Sequence, residues 1–362
     1  MATGRVDWWN PVSSQARCLH AREAVILPLL NQPDEMKSAA ASPTTRSKNS
    51  LRGILLPFTT PFNPTEEVNK EGLRRNIQQW NATGISGYVV LGSTGERVNL
   101  DPRECAQVIE IARDEIPQNL EFIIGVGQQA TRATIAETKQ ASSAGADAVL
   151  VITPSFYRPA ITQAALVTHF AAIADASPVP VILYSMPDLT GIKIEPETVA
   201  QLCAHPNIVG IKDSSADMAG FQKTVTLVPE YFAVLSGNGT VLATALENGA
   251  RGGILAVGCV ATALCLEIFR LVEVGEGDKA AALQQKLTPL ALAVTKRYGI
   301  GGLKAAMDMI GFAGGVVRAP LQTASAEAQA DIAVLLDELR NESASKTEES
   351  SAPDEFVGVV KP

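Results

Sequence analysis

From residue 54 onward, short continuous apolar runs alternate with longer stretches in which apolar residues recur at helical spacing. The runs fall at 54–58, 87–92, 121–126, 148–153, 180–185, 208–212, 232–236 and 252–257. Strands that are apolar at consecutive positions are buried on both faces, which is the condition of a parallel sheet covered by helices. Between them, 70–82, 102–115, 132–144 and 162–174 read as amphipathic helices. Eight strand–helix units over roughly 200 to 250 residues predict an α/β protein, a closed (β/α)₈ TIM barrel. An open doubly wound sheet is the competing architecture. Helical periodicity continues at about 278–297, 301–310 and 325–340, which predicts additional C-terminal helices outside the barrel. The organisation expected is therefore an N-terminal extension over 1–50, disordered or targeting, and a (β/α)₈ barrel over 51–275. A C-terminal helical extension follows over 276–340, then a disordered acidic tail over 341–362.

Composition narrows the class. The chain has 362 residues, 46% hydrophobic and 19% charged, with a net charge of −8. That balance suits an enzyme with a sizeable core and argues against a nucleic-acid surface. The cysteines, Cys18, Cys105, Cys203, Cys259 and Cys265, are odd in number and form no CxxC pair, so buried thiols in a reducing compartment are expected. His20, His169 and His205 show no metal-ligand spacing, and neither metal nor cofactor is implied. No apolar run is long enough to span a membrane. Arg5, Arg17, Arg22 and Arg46 suggest a mitochondrial presequence, which Asp7, Glu23, Asp34 and Glu35 oppose, and Met36 is an alternative start. A cytoplasmic and a mitochondrial location both stay open.

The candidate chemistry centres on Lys212. Alternation along a strand places Val209 and Ile211 on one face and Gly210 and Lys212 on the other. An ammonium at such a strand end is costly to desolvate unless it is used or snorkels to water. A neutral amine there can attack a carbonyl and form a Schiff base. In a barrel the site gathers at the C-terminal ends of the strands. Tyr184 ends the fifth strand, with Pro180, Ile182 and Tyr184 directed inward, so Tyr184 and Lys212 become neighbours and Tyr184 a proton shuttle. Gly92-Ser93-Thr94-Gly95-Glu96 follows the second strand and offers hydroxyls and amides to a carboxylate. Gly125-Val126-Gly127-Gln128-Gln129-Ala130 imitates a dinucleotide fingerprint, but Asp147 precedes the fourth strand and stands at the wrong edge for a ribose.

These motifs carry a family resemblance. Gly92–Glu96, Thr153-Pro154 with Arg158-Pro159, Tyr184-Ser-Met-Pro-x-x-Thr-Gly191 and Gly210-Ile-Lys-Asp-Ser214 occur in the order seen in the dihydrodipicolinate synthase / N-acetylneuraminate lyase family. The resemblance spans about 52–340 and implies a class I, pyruvate-dependent aldolase. It implies that Lys212 is the Schiff-base lysine and Tyr184 the general acid/base. Ser93 and Thr94 would grip the pyruvoyl carboxylate and relay protons, and Ile254 would offer a backbone contact. Two positions depart from the pattern. Phe156 stands where members often place a tyrosine shared across a subunit interface, which leaves Tyr157 as a substitute relay. Leu189 stands where dihydrodipicolinate synthases place an arginine for the aldehyde's carboxylate.

Within the family the chain is similar to eukaryotic 4-hydroxy-2-oxoglutarate aldolases, through 174–184, 205–210, 293–304 and Arg318-Ala-Pro-Leu321. That similarity adds Ser214 and Gly237 as substrate contacts and implies cleavage of 4-hydroxy-2-oxoglutarate to pyruvate and glyoxylate. The alternatives are a 2-keto-3-deoxy sugar-acid aldolase, a dihydrodipicolinate synthase-like condensing enzyme, or a catalytically silent binding barrel. The implied partners are a small-molecule 2-oxo acid and further copies of the chain in a homotetramer, with no nucleic acid and no membrane.

Overall fold

The strands are short, buried runs, and several end where glycine or a hydroxyl residue starts a loop, as at Gly127, Thr153, Ser214 and Gly237. In the computed structural model, which describes residues 51–349 and side chains as far as 340, they are β1 (Gly53–Leu56), β2 (Gly87–Val90), β3 (Glu121–Val126) and β4 (Ala148–Ile152). β5 (Val181–Ser185), β6 (Ile208–Asp213), β7 (Ala233–Ser236) and β8 (Gly252–Ile254) complete a closed parallel barrel in sequence order. The fold is a TIM barrel, and the open sheet is excluded by the pairing of β1 with β8. That closure is tight: a Cβ on Gly252 would lie 1.9 Å from the carbonyl oxygen of Gly53.

The helices of the barrel are α1 (Lys70–Asn81), α2 (Pro102–Glu115), α3 (Thr131–Ser143), α4 (Gln163–Ala176), the single turn α5 (Pro187–Thr190) and α6 (Pro196–Leu202). α7 (Met218–Leu227), α8 (Leu242–Glu247) and α9 (Thr262–Glu273) follow. α2 starts with a capping box, in which Asp101 accepts from the Glu104 amide and Glu104 from that of Asp101.

Two apolar clusters result. Leu55, Val89, Ile123, Leu150, Ile182, Tyr184, Leu235 and Ile254 fill the barrel interior. The opposite faces of the strands, with residues such as Leu56, Val90, Val181 and Leu183, pack against the helices.

The C-terminal extension consists of α10 (Gly277–Leu292), a π-helical turn (Ala293–Arg297), α11 (Gly299–Met309) and α12 (Ala326–Glu349). Gln284 fastens α10 to the barrel, accepting from the Ala243 amide (2.9 Å) and donating to the Gly239 carbonyl (3.0 Å).

Three expectations are corrected. The periodic stretch 278–297 is an α-helix followed by a π-turn. The helix expected to end at 340 continues in backbone to Glu349; 350–362 and the N-terminal extension 1–50 lie outside the described residues. The third concerns β6. Val181 pairs with Ile208, but Ile182 pairs with Gly210, so Val209 is an extra residue in a bulge. Val209 therefore joins the interior cluster while Ile211 packs outward, instead of the two sharing a face.

Candidate active site

The parallel register of β5 and β6 sets Tyr184 directly beside Lys212. Both side chains are buried, Lys212 at 4% and Tyr184 at 3% exposure, and the Lys212 Nζ lies 4.3 Å from the Tyr184 ring centroid. The loop after β2 reaches across, and Ser93 Oγ and the Tyr184 hydroxyl share a hydrogen bond of 2.9 Å. Burial alone would raise the Tyr184 pKa. The Lys212 charge and hydrogen bonds with Ser93, Lys212 and Ser214 outweigh it and hold the phenol below its ordinary value. A phenol poised in this way can take a proton and return it.

The other predicted residues distribute unevenly. Ser214 is buried at the end of β6, where its amide donates to the Ser185 carbonyl (3.0 Å). Gly237 follows β7 and leaves the room these groups need: a Cβ there would lie 2.0 Å from Ser214 Oγ and 2.8 Å from Lys212 Cε. Thr94 is buried in the β2 loop but forms no hydrogen bond with Tyr184. Ile254 is buried in the interior at the end of β8. Tyr157 is not brought into the group; it is 69% exposed and packs edge-on against Phe156, itself 75% exposed. Asp147 stands before β4 and accepts from the Phe122 amide (2.9 Å), a structural task.

A cavity of about 480 Å³ opens over Ser93 and Tyr184, walled by Leu150, Ile152, Thr153, Gln128 and Gln129. Its rim is apolar, with Val98, Leu189, Ile300 and Leu321. Its charged residues are already paired: Arg97 binds Glu137, and Glu96 binds Lys304. Sequence reading left Glu96 and Lys304 without a role. The signal was present, because Lys304 interrupts the otherwise apolar run Gly301-Gly302-Leu303-Lys304-Ala305-Ala306. Among the described residues, no three His, Cys, Asp or Glu side chains cluster as a metal site, and no helix is long and apolar enough to cross a membrane.

The model of the dihydrodipicolinate synthetase family matches residues 50–339, which holds the whole barrel and this site. The chain belongs to that family. The 4-hydroxy-tetrahydrodipicolinate synthase of Methanothrix thermoacetophila is 35% identical over 285 residues, covering 78% of this chain and 95% of the relative. The synthase of Xanthomonas axonopodis pv. citri is 38% identical over 239 residues, covering 66% and 78%. Among solved structures, a monomeric dihydrodipicolinate synthase variant superposes with a TM-score of 0.78 at 29% identity, covering 82% of this chain and 99% of that one. The family member YagE of E. coli K12, solved with pyruvate, superposes with a TM-score of 0.75 at 28% identity, covering 80% and 99%. As a member of the dihydrodipicolinate synthetase family, the protein is an enzyme of the pyruvate-dependent aldolase type.

Proposed function

We propose that the protein is a Schiff-base aldolase that cleaves 4-hydroxy-2-oxoglutarate to pyruvate and glyoxylate, with Lys212 as nucleophile and Tyr184 as acid–base. The observation that carries the chemistry is the pairing of buried Lys212 and Tyr184 at the mouth of the barrel, with half-buried Ser93 hydrogen-bonded to the phenol. Lys212 Nζ adds to the keto carbon, and water leaves to give a protonated imine. The imine draws electrons as the bond between carbons 3 and 4 breaks, leaving an enamine on the lysine. Tyr184 takes the proton from the carbon-4 hydroxyl as glyoxylate departs. Carbon 3 of the enamine is then protonated, and hydrolysis of the imine frees pyruvate. Ser93 and Thr94 hold the pyruvoyl carboxylate, the backbone at Ile254 lines its far side, and Ser214 beside Gly237 donates to the second carboxylate.

The substrate choice is supported by Leu189, which is 64% exposed on the cavity rim. An apolar residue there makes no charge-assisted pair with the carboxylate of aspartate semialdehyde. The second reading, condensation of pyruvate with that aldehyde, is favoured by the names of the relatives. Borohydride added with pyruvate should leave a reduced adduct on the peptide carrying Lys212, and Lys212→Ala should lose both adduct and turnover. Full activity without an adduct would defeat the Schiff-base mechanism.

We extend the proposal to a homotetramer, supported by exposed Val98, Phe156 and Tyr157. Sedimentation should give four times the chain mass; a monomer at working concentration removes this part.

A further inference from the structure

Two charges lie deep in the protein where the proposed chemistry does not use them. Glu96 ends the Gly92–Glu96 loop and Lys304 lies within α11; their side chains are 0% and 1% exposed and meet at 2.5 Å. A buried ion pair contributes little net stability, and apolar residues of similar volume often serve the fold as well. What such a pair does supply is geometry. Glu96 adopts a left-handed φ of 55°, uncommon for a residue with a side chain. Its amide donates to the Ser93 carbonyl (3.1 Å), and its second carboxylate oxygen accepts from the Arg318 amide (3.0 Å). Lys304 donates in addition to the Val316 carbonyl (2.6 Å) and lies 4.3 Å over the Phe62 ring. Burial pulls the Lys304 pKa down, with Glu96 opposing. The loop that presents Ser93 to Tyr184 is thus held from behind by the C-terminal extension.

We propose that Glu96 and Lys304 are positioning residues: their ion pair fixes the Ser93–Thr94 loop at hydrogen-bond distance from Tyr184, which makes the C-terminal extension part of the catalytic apparatus. The proposal rests on the Schiff-base reading of Lys212 and Tyr184. It places no new group on the substrate. Its content is that the pair acts on the rate through Ser93, and only secondarily on the fold.

The test compares the parent with Glu96→Gln and with the double variant Glu96→Gln/Lys304→Met, which removes both charges at nearly constant volume. Four readouts are needed: thermal midpoint, borohydride trapping of pyruvate on Lys212, kcat and KM for cleavage, and the pH–rate profile. The double variant should unfold cooperatively near the parent's midpoint and still trap pyruvate at saturation. Its kcat should fall ~100-fold, the scale of a small misplacement in a site. Its pH–rate profile should move upward, because Tyr184 loses the Ser93 hydrogen bond while its charged neighbour, Lys212, is unchanged. A double variant with the parent's kcat, KM and pH profile overturns the proposal. One that does not fold, or loses rate only in proportion to its unfolded fraction, also overturns it, since the pair would then serve stability. A parent that traps no pyruvate removes the Schiff-base reading and this proposal together, an outcome told apart by the unsubstituted protein alone.

Discussion

At the scale of single residues, the proposed mechanism turns on the Tyr184 phenol. Tyr184 is held below its ordinary pKa against the effect of burial, by Lys212 and by hydroxyl partners. Tyr184→Phe deletes one oxygen from a packed position, so the fold should persist. Loss of a positioned acid–base group should lower kcat for cleavage by roughly 10²- to 10⁴-fold, with the affinity for pyruvate little changed. Near-normal turnover in steady-state kinetics would assign the proton to water or Tyr157. The inward direction of Lys212 and Tyr184 was legible in the sequence because strand alternation is local. The position of Val209 was not, because a bulge is a property of the pairing with β5 and leaves no mark in the strand's own residues.

At the scale of elements, the proposed substrate choice rests on α5. This single turn carries Leu189 to the cavity rim, and Asp188 beside it pairs with Lys296 of the π-helical turn (3.4 Å). Turnover of aspartate semialdehyde with pyruvate should be negligible, and kcat/KM for 4-hydroxy-2-oxoglutarate should exceed that for longer sugar acids. Leu189→Arg should raise the condensation. If a six-carbon 2-keto-3-deoxy acid gives the larger kcat/KM, the substrate assignment fails and the mechanism stands. Elements were legible where apolar periodicity ran uninterrupted, as in α2 and β3, whose limits match the pattern residue for residue. They were less so at β8, where Ala256–Cys259 continues the apolar run as a 3₁₀ turn. Composition there reports burial, and burial does not distinguish strand from turn.

At the scale of the whole molecule, closure of the barrel was legible because one strand–helix unit recurs along the chain. The contact between Glu96 and Lys304 was not, since no local rule links a loop after β2 to a helix beyond β8. Stability carries a pH signature of its own. His169, buried between α3 and α4, shares a hydrogen bond with Thr131 (2.9 Å), while its Nε2 has no partner. Burial lowers its pKa from 6.5 to about 4. The unfolded chain therefore takes up this proton first as pH falls. Stability from this group is complete above 6.5, declines between 6.5 and about 4, and falls no further below. The full loss is about 3 kcal/mol. Denaturant melts of the parent and of His169→Gln should converge across that window; a constant difference would contradict it.

The bulge in β6 has a consequence for how the strand can change length. Ile208 and Lys212 would share a face in a regular strand, yet one looks out to the helices and the other in to Tyr184 of the barrel interior. Val209 is the odd member that makes this possible. Removing it would restore strict alternation from Ile208 and leave the lysine facing inward. Removing Ile211, past the bulge, would reverse its parity and turn the amine toward the helices. The strand thus carries one spare residue before the position of the lysine, and deleting Val209 should leave the direction of Lys212 unchanged where deleting Ile211 should not.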